Sequence, residues 1–116
     1  MLRKIECYIQ PFKLDALTRA LVEHGVDGMS VTEIKGFGRQ RGRMDEGGGD
    51  GAEEEIHVLP KLKLEIVVVE EIVDETVNLI VRLARTGNIG AGKVFVLPVE
   101  DAIRVGSGEV GRTAVE

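Results

Sequence analysis

Apolar residues in this chain alternate with polar ones, then recur at helical spacing, then alternate again, and the whole cycle runs twice. Ile5, Cys7 and Ile9 alternate with Glu6 and Tyr8, the period-two signature of a strand with one buried face. Pro11 ends it. Leu14, Leu17, Leu21 and Val22 follow at helical spacing, with Asp15 in the first turn and Gly25 as a stop signal, which predicts a helix over 13–24. Val26 to Lys35 carries the β-branched Val31, Thr32 and Ile34 and predicts a second strand. In the second half, Leu62, Leu64, Ile66 and Val68 alternate with Lys61, Lys63 and Glu65. Ile72, Thr76, Val77, Ile80, Leu83 and Ala84 then form a helical stripe ending at Gly87, and Val94 to Val99 completes the cycle. Strand-helix-strand twice over predicts an α+β fold of the ferredoxin-like split βαβ (βαββαβ) kind, an antiparallel sheet carrying both helices on one face.

The stretch between the halves fits no packed element. Gly36 to Glu55 holds seven glycines, and its only apolar side chains besides alanine are Phe37 and Met44, so it has little surface to bury. Arg39, Arg41 and Arg43 come first, then Asp45, Glu46, Asp50, Glu53, Glu54 and Glu55. A solvated hairpin tip explains that charge split. A loop of this length inside a small domain more often binds or regulates, and mobility is expected over 42–54.

A second glycine-rich run, Thr86-Gly87-Asn88-Ile89-Gly90-Ala91-Gly92-Lys93, has the spacing of a phosphate-binding loop up to its last position. Val94 stands there in place of the Ser/Thr hydroxyl that would hold magnesium. A hydrolytic P-loop needs a strand before it and a helix after, and the order here is reversed. The local physics survives: glycines let backbone N–H groups converge on an anion, and Lys93 adds a point charge. A helix stop followed by a turn explains the same residues without a ligand.

At 116 residues, 43% apolar and 30% charged, the chain suits a single domain over 1–116 with one core of Val, Ile and Leu, because aromatics are only 3%. Such a core is modest, and oligomerisation is an expected supplement. A net charge of -5 with no basic, aromatic-interleaved patch argues against nucleic acid as a partner. Cys7 is the only cysteine, so no disulfide forms within the chain and a reducing compartment is expected. No apolar run reaches the ~18 residues of a membrane span, and Met1-Leu2-Arg3-Lys4 leads into a strand, so the expected location is cytoplasmic.

Several motifs together resemble the PII signal-transduction proteins. Gly28-Met29-Ser30-Val31-Thr32-Glu33 runs into Lys35-Gly36-Phe37-Gly38-Arg39-Gln40; Leu59-Pro60-Lys61, Thr86-Gly87 through Lys93-Val94-Phe95-Val96, and Gly108-Glu109 follow in order, and Pro11-Phe12-Lys13-Leu14 matches the strand-to-helix junction. The resemblance covers nearly the whole chain. It implies a homotrimer with adenine nucleotide, ATP or ADP, in three clefts between subunits. It also implies a long, flexible T-loop at about 37–57, which engages a target transporter or enzyme.

Carried over by residue, the resemblance implies that Gly90, Gly92 and Lys93 hold the phosphates and that Gly36 and Gly38 also belong to the nucleotide site. Arg39 and Arg104 add charge there, and Ser30 lies near the adenine. Gln40 and Lys61 match residues that seat magnesium and 2-oxoglutarate beside the triphosphate. A strand-edge lysine that protects against aggregation is the plainer reading of Lys61. No metal site made by the protein alone is implied.

Two departures from the family pattern stand out. Ala91 replaces an Asp or Tyr and Gly106 replaces a second arginine, which removes one charged phosphate contact worth ~1.5–3 kcal/mol. Gly48-Gly49-Asp50-Gly51-Ala52-Glu53 replaces the tyrosine-bearing loop tip, so uridylylation there is excluded; Tyr8 is the only tyrosine and lies in the first strand. Three readings follow. The first is a non-enzymatic sensor regulating nitrogen assimilation or a transporter through its T-loop. The second is a divergent relative sensing nucleotide and bicarbonate for inorganic-carbon uptake. The third is a nucleotidase or metal-dependent hydrolase using His24, His57 and the acidic loop. That enzyme is disfavoured, because the histidines lack metal-ligand spacing and the carboxylates sit on a Gly-rich segment that cannot preorganise them.

Overall fold

The computed structural model describes residues 1–40, 55–85 and 92–116, with side chains described for 1–36, 59–85 and 92–116. Strand β1 spans Leu2–Ile9, and a single 3-10 turn, Pro11–Lys13, leads into helix α1, Leu14–Glu23. Proline belongs there, since the first turn needs no N–H from it. β2 is Ser30–Gln40 and β3 is Glu55–Val69; a second 3-10 turn, Glu70–Ile72, enters α2, Val73–Ala84. β4 spans Gly92–Val99 and a short helix α3 spans Arg112–Val115.

The strands lie in the order β2-β3-β1-β4, every pair antiparallel. This is the expected split βαβ arrangement: each half contributes two parallel strands, and a strand of the other half lies between them. Period two decides the faces. Ile5 pairs with Ile66, Cys7 with Leu64 and Ile9 with Leu62, and all six are buried against the helices. Leu17 and Leu21 of α1 and Ile80 and Ala84 of α2 close the same core. Full burial of each large aliphatic side chain contributes about 1.5–3 kcal/mol. Thr76 is also fully buried, and its hydroxyl donates to the Ile72 carbonyl at 2.6 Å, so the polar atom costs little.

Several boundaries differ from the sequence expectation. Val26 belongs to the end of α1, not to β2. Gly25 takes φ 100°, its N–H donates to Val22 O at 3.0 Å, and the Val26 N–H donates to Leu21 O at 2.9 Å. That double closure is a Schellman motif, with Val26 packed in the core beside Leu21. Val22 lies off the buried stripe and is 63% exposed. The stripe of α2 closes at Ala84, with Arg85 already extended.

β2 and β3 continue outward as a two-stranded ribbon, from Gly36 opposite Leu59 to Gln40 opposite Glu55. Pairing through the backbone needs no apolar face, so a polar, glycine-containing stretch can extend a ladder that hydrophobicity does not announce. Pro60 fits because β1 stops opposite Leu62, leaving β3 one neighbour at that point. The expected mobility of 42–54 concerns residues outside the described ones.

Candidate functional site

Ser30 and Arg104 line one cavity of about 500 Å³, together with Lys4, Asp27, Gly28, Met29, Glu65, Val67, Ala114 and Val115. Ser30 arrives as the first residue of β2. Arg104 is held by a small hairpin closed by the Ile103–Val110 bridge: its N–H donates to Glu109 O, and the Gly108 N–H donates to Arg104 O, both at 2.8 Å. The Arg104 guanidinium meets the Glu109 carboxylate at 3.3 Å and donates to the Glu116 carbonyl at 3.4 Å. The polar wall is ordered by charge. Lys4 Nζ lies 2.6 Å from Glu65 and 3.2 Å from Glu6, and Lys63 stands within 4.0 Å of both carboxylates. The hydrogen bond to Glu65 comes first in raising the Lys4 pKa above its ordinary value, and the same bond holds Glu65 below the usual carboxylate range.

Gly92 and Lys93 line a second cavity of about 380 Å³, whose floor is apolar: Ile9, Val77, Ile80, Val81, Ala84 and Val94. Arg85 and Lys93 place two cations on its wall. The two residues taken from the sequence as a phosphate loop are the first two of β4, opposite Ile9 and Tyr8. Gly92 has φ 125°, and a Cβ there would overlap the Tyr8 carbonyl oxygen. Only glycine suits that approach.

These cavities share no lining residue. Ser30 and Lys93 begin the two edge strands, with β3 and β1 between them, a separation of about three strand spacings or ~14 Å. Gly36, Gly38, Arg39 and Gln40 lie further along β2; Gln40 is ten residues from Ser30, ~33 Å along an extended strand. Lys61 on β3 lies opposite Ile34. Gly90 is outside the described residues. One chain therefore brings Ser30 to Arg104 and Gly92 to Lys93, but it does not bring the two pairs together.

Lys4 and Glu65 were not singled out by sequence, because alternating charges on a strand read as a solvated face. Their cross-strand clustering depends on register. On that same open face of the sheet, Phe95 lies opposite Glu6 and Leu97 opposite Lys4; both are more than a third exposed, and the Phe95 ring meets Tyr8 edge-on at 6.0 Å. His24 caps α1 while His57 lies on β3 opposite Gly38, and among the described residues no cluster of His, Cys, Asp or Glu could hold a metal ion. No helix among the described residues is long and apolar enough to cross a membrane. Cys7 is fully buried, and burial pushes its thiol up to about 11, which makes it an unreactive core residue.

Residues 2–109 match the family model for the nitrogen regulatory protein P-II. The chain is 49% identical over 114 residues to the nitrogen regulatory protein P-II of Klebsiella oxytoca, covering 98% of this chain and all of that one. Among solved structures it is similar to B. subtilis GlnK, with a TM-score of 0.81 at 30% identity over 98% of each chain. It is also similar to the B. subtilis GlnK–ATP complex, with a TM-score of 0.82 at 30% identity over 98% of this chain and 95% of that one.

Proposed function

We propose, from the premise that this chain belongs to the nitrogen regulatory protein P-II family, that its two cavities are halves of one adenine-nucleotide site completed between neighbouring chains. The family is regulatory and not catalytic, so this is a nucleotide-binding signalling protein and not an enzyme. One observation carries the shared-site reading. Residues that the family pattern gives to a single nucleotide fall in cavities on opposite sides of the sheet, which one chain cannot bring together. A neighbour bringing its Ser30–Arg104 cavity to the Gly92–Lys93 edge of β4 would complete the site, and in a homotrimer this happens three times.

The similarity to a chain solved with ATP supports ATP or ADP as the ligand. In this reading Lys93 and Arg104 bind phosphates from two different chains, and Ser30 meets the base. Gly36, Gly38, Arg39, Gln40 and Gly90 complete the cradle when the outer ribbon folds toward it. Gln40 and Lys61 would hold magnesium and 2-oxoglutarate through the nucleotide; charge complementarity between Lys61 and a carboxylate favours that metabolite. The segment at about 37–57 would engage the target, a transporter or an enzyme of nitrogen assimilation, in the cytoplasm. The half-exposed Phe95 and Leu97 on the sheet's open face offer the apolar surface that trimer assembly needs.

Mixed trimers provide the test. Lys93→Ala and Arg104→Ala should each weaken ATP binding by ~1.5–3 kcal/mol, since each removes a charge-assisted hydrogen bond. Refolded together, the two variants form some interfaces that combine an intact Lys93 with a neighbour's intact Arg104, and tight sites return. If the mixture binds no better than either variant, both residues act within one chain and the shared site is wrong. Light scattering should give about three times the 12.6 kDa chain mass.

A further inference from the structure

An ion pair outside the residues assigned to nucleotide, Arg112 with Glu71, involves the helix that lines one wall of the Ser30–Arg104 cavity. Helix α3 supplies Ala114 and Val115 to that wall. Four residues are too few to sustain a helix alone, so its position depends on tertiary anchors. Arg112 provides one of them: its Nη1 lies 2.9 Å from Glu71 Oε2, at the entry to α2, while its Nε lies 3.0 Å from Glu116 Oε2 within the same segment. The Gly111 N–H donates to Ala102 O at 2.8 Å, and Arg104 donates to the carbonyl of the same Glu116. Arg112 therefore joins the 3-10 turn before α2 to the segment against which Arg104 rests.

We propose that Arg112 and Glu71 form a latch that fixes Ala114 and Val115 against the cavity and so slows escape of the ligand held by Ser30 and Arg104. The identity of that ligand as adenine nucleotide rests on the function proposed above; the latch itself does not. Arg112 and Glu71 are positioning residues and touch no ligand. Both side chains are about half exposed, so the latch should be salt-sensitive and its effect about two- to fivefold.

The test uses Glu71→Gln, Arg112→Gln and the double variant of the full chain. Without nucleotide, amide exchange at Gly111, Ala114 and Glu116 should quicken about two- to fivefold in each single variant, with little further change in the double. With ATP as the probe, its dissociation rate should rise by a similar factor at low salt, and the difference from the parent should shrink in molar salt. Unchanged exchange in Glu71→Gln overturns the latch. Faster exchange with unchanged ATP dissociation overturns its control of the cavity. A parent protein that binds no ATP overturns the nucleotide reading and the control of escape with it, while the nucleotide-free exchange still supports or overturns the latch.

Discussion

Gly92 and Tyr8 approach each other so closely across the β1–β4 ladder that a Cβ on Gly92 would overlap the Tyr8 carbonyl oxygen. A sequence motif of glycines beside a lysine suggests an anion nest, yet the demand for glycine at this position is already met by strand packing. Its φ of 125° adds a backbone cost for any other residue.

Gly92→Ala should therefore destabilise the chain by about 1–3 kcal/mol through strain and displacement of Tyr8. Gly106→Ala is the control: a Cβ there meets open space and its φ is not positive, so the change should stay within about 0.5 kcal/mol. Urea unfolding of both variants measures the contrast, and equal costs would contradict the packing account.

Cys7 makes the fold sensitive to alkali. Its thiol is raised from an ordinary 9.0 to about 11 by burial, so between those values the folded state keeps a proton that the unfolded state has lost. Stability then falls as pH rises from about 9, at up to ~1.4 kcal/mol per unit. Cys7→Ala should lower stability at neutral pH by loss of packing and remove this alkaline slope. Denaturation curves at several pH values decide it; a slope that persists in Cys7→Ala assigns the sensitivity to another group.

Glu65 is held below the usual carboxylate range first by its hydrogen bond from Lys4. A depressed folded value stabilises the protein above the unfolded value of about 4.5, and that contribution is lost as pH falls through the folded value. Lys4→Met should move the Glu65 titration upward, because it removes the hydrogen bond that leads in lowering it and leaves only Lys63, 3.9 Å away, to offset Glu6 directly opposite. Carboxyl carbon shifts in an acid titration report the change, and an unmoved Glu65 would show that Lys4 does not set it.

The strands and helices were legible wherever period two or period 3.6 ran through buried aliphatics, as in Ile5-Cys7-Ile9 and Thr76-Ile80-Ala84. Val26 misled because a residue closing a Schellman motif is as apolar as a strand residue. The Ile103–Val110 hairpin and α3 carry almost no buried apolar surface, and only Gly108 and Gly111, both at positive φ, mark their turns. The family resemblance supplied the site residues by type. The resemblance implied clefts between subunits, but which residues fall in which cavity was not readable, since that follows from a strand order that sends β2 and β4 to opposite edges.

The last prediction concerns phosphate discrimination at Gly106. Arg104 is drawn toward Glu109 and Glu116, so part of its charge is already answered within its own chain. Gly106 is exposed two residues further along the same hairpin, with open space at its Cβ and no positive φ. Gly106→Arg can thus be accommodated without strain and adds a second cation beside Arg104. A charged hydrogen bond of ~1.5–3 kcal/mol corresponds to roughly ten- to a hundredfold in affinity. With the phosphates at Arg104, as in the nucleotide site proposed above, the gain should appear for ATP and be much smaller for AMP, whose single phosphate would fall short of the added guanidinium. Gly106→Gln, which matches much of the length without the charge, should gain little. Calorimetric titration of both nucleotides against the three proteins separates these cases, and an equal gain for ATP and AMP would place the new arginine away from the terminal phosphates.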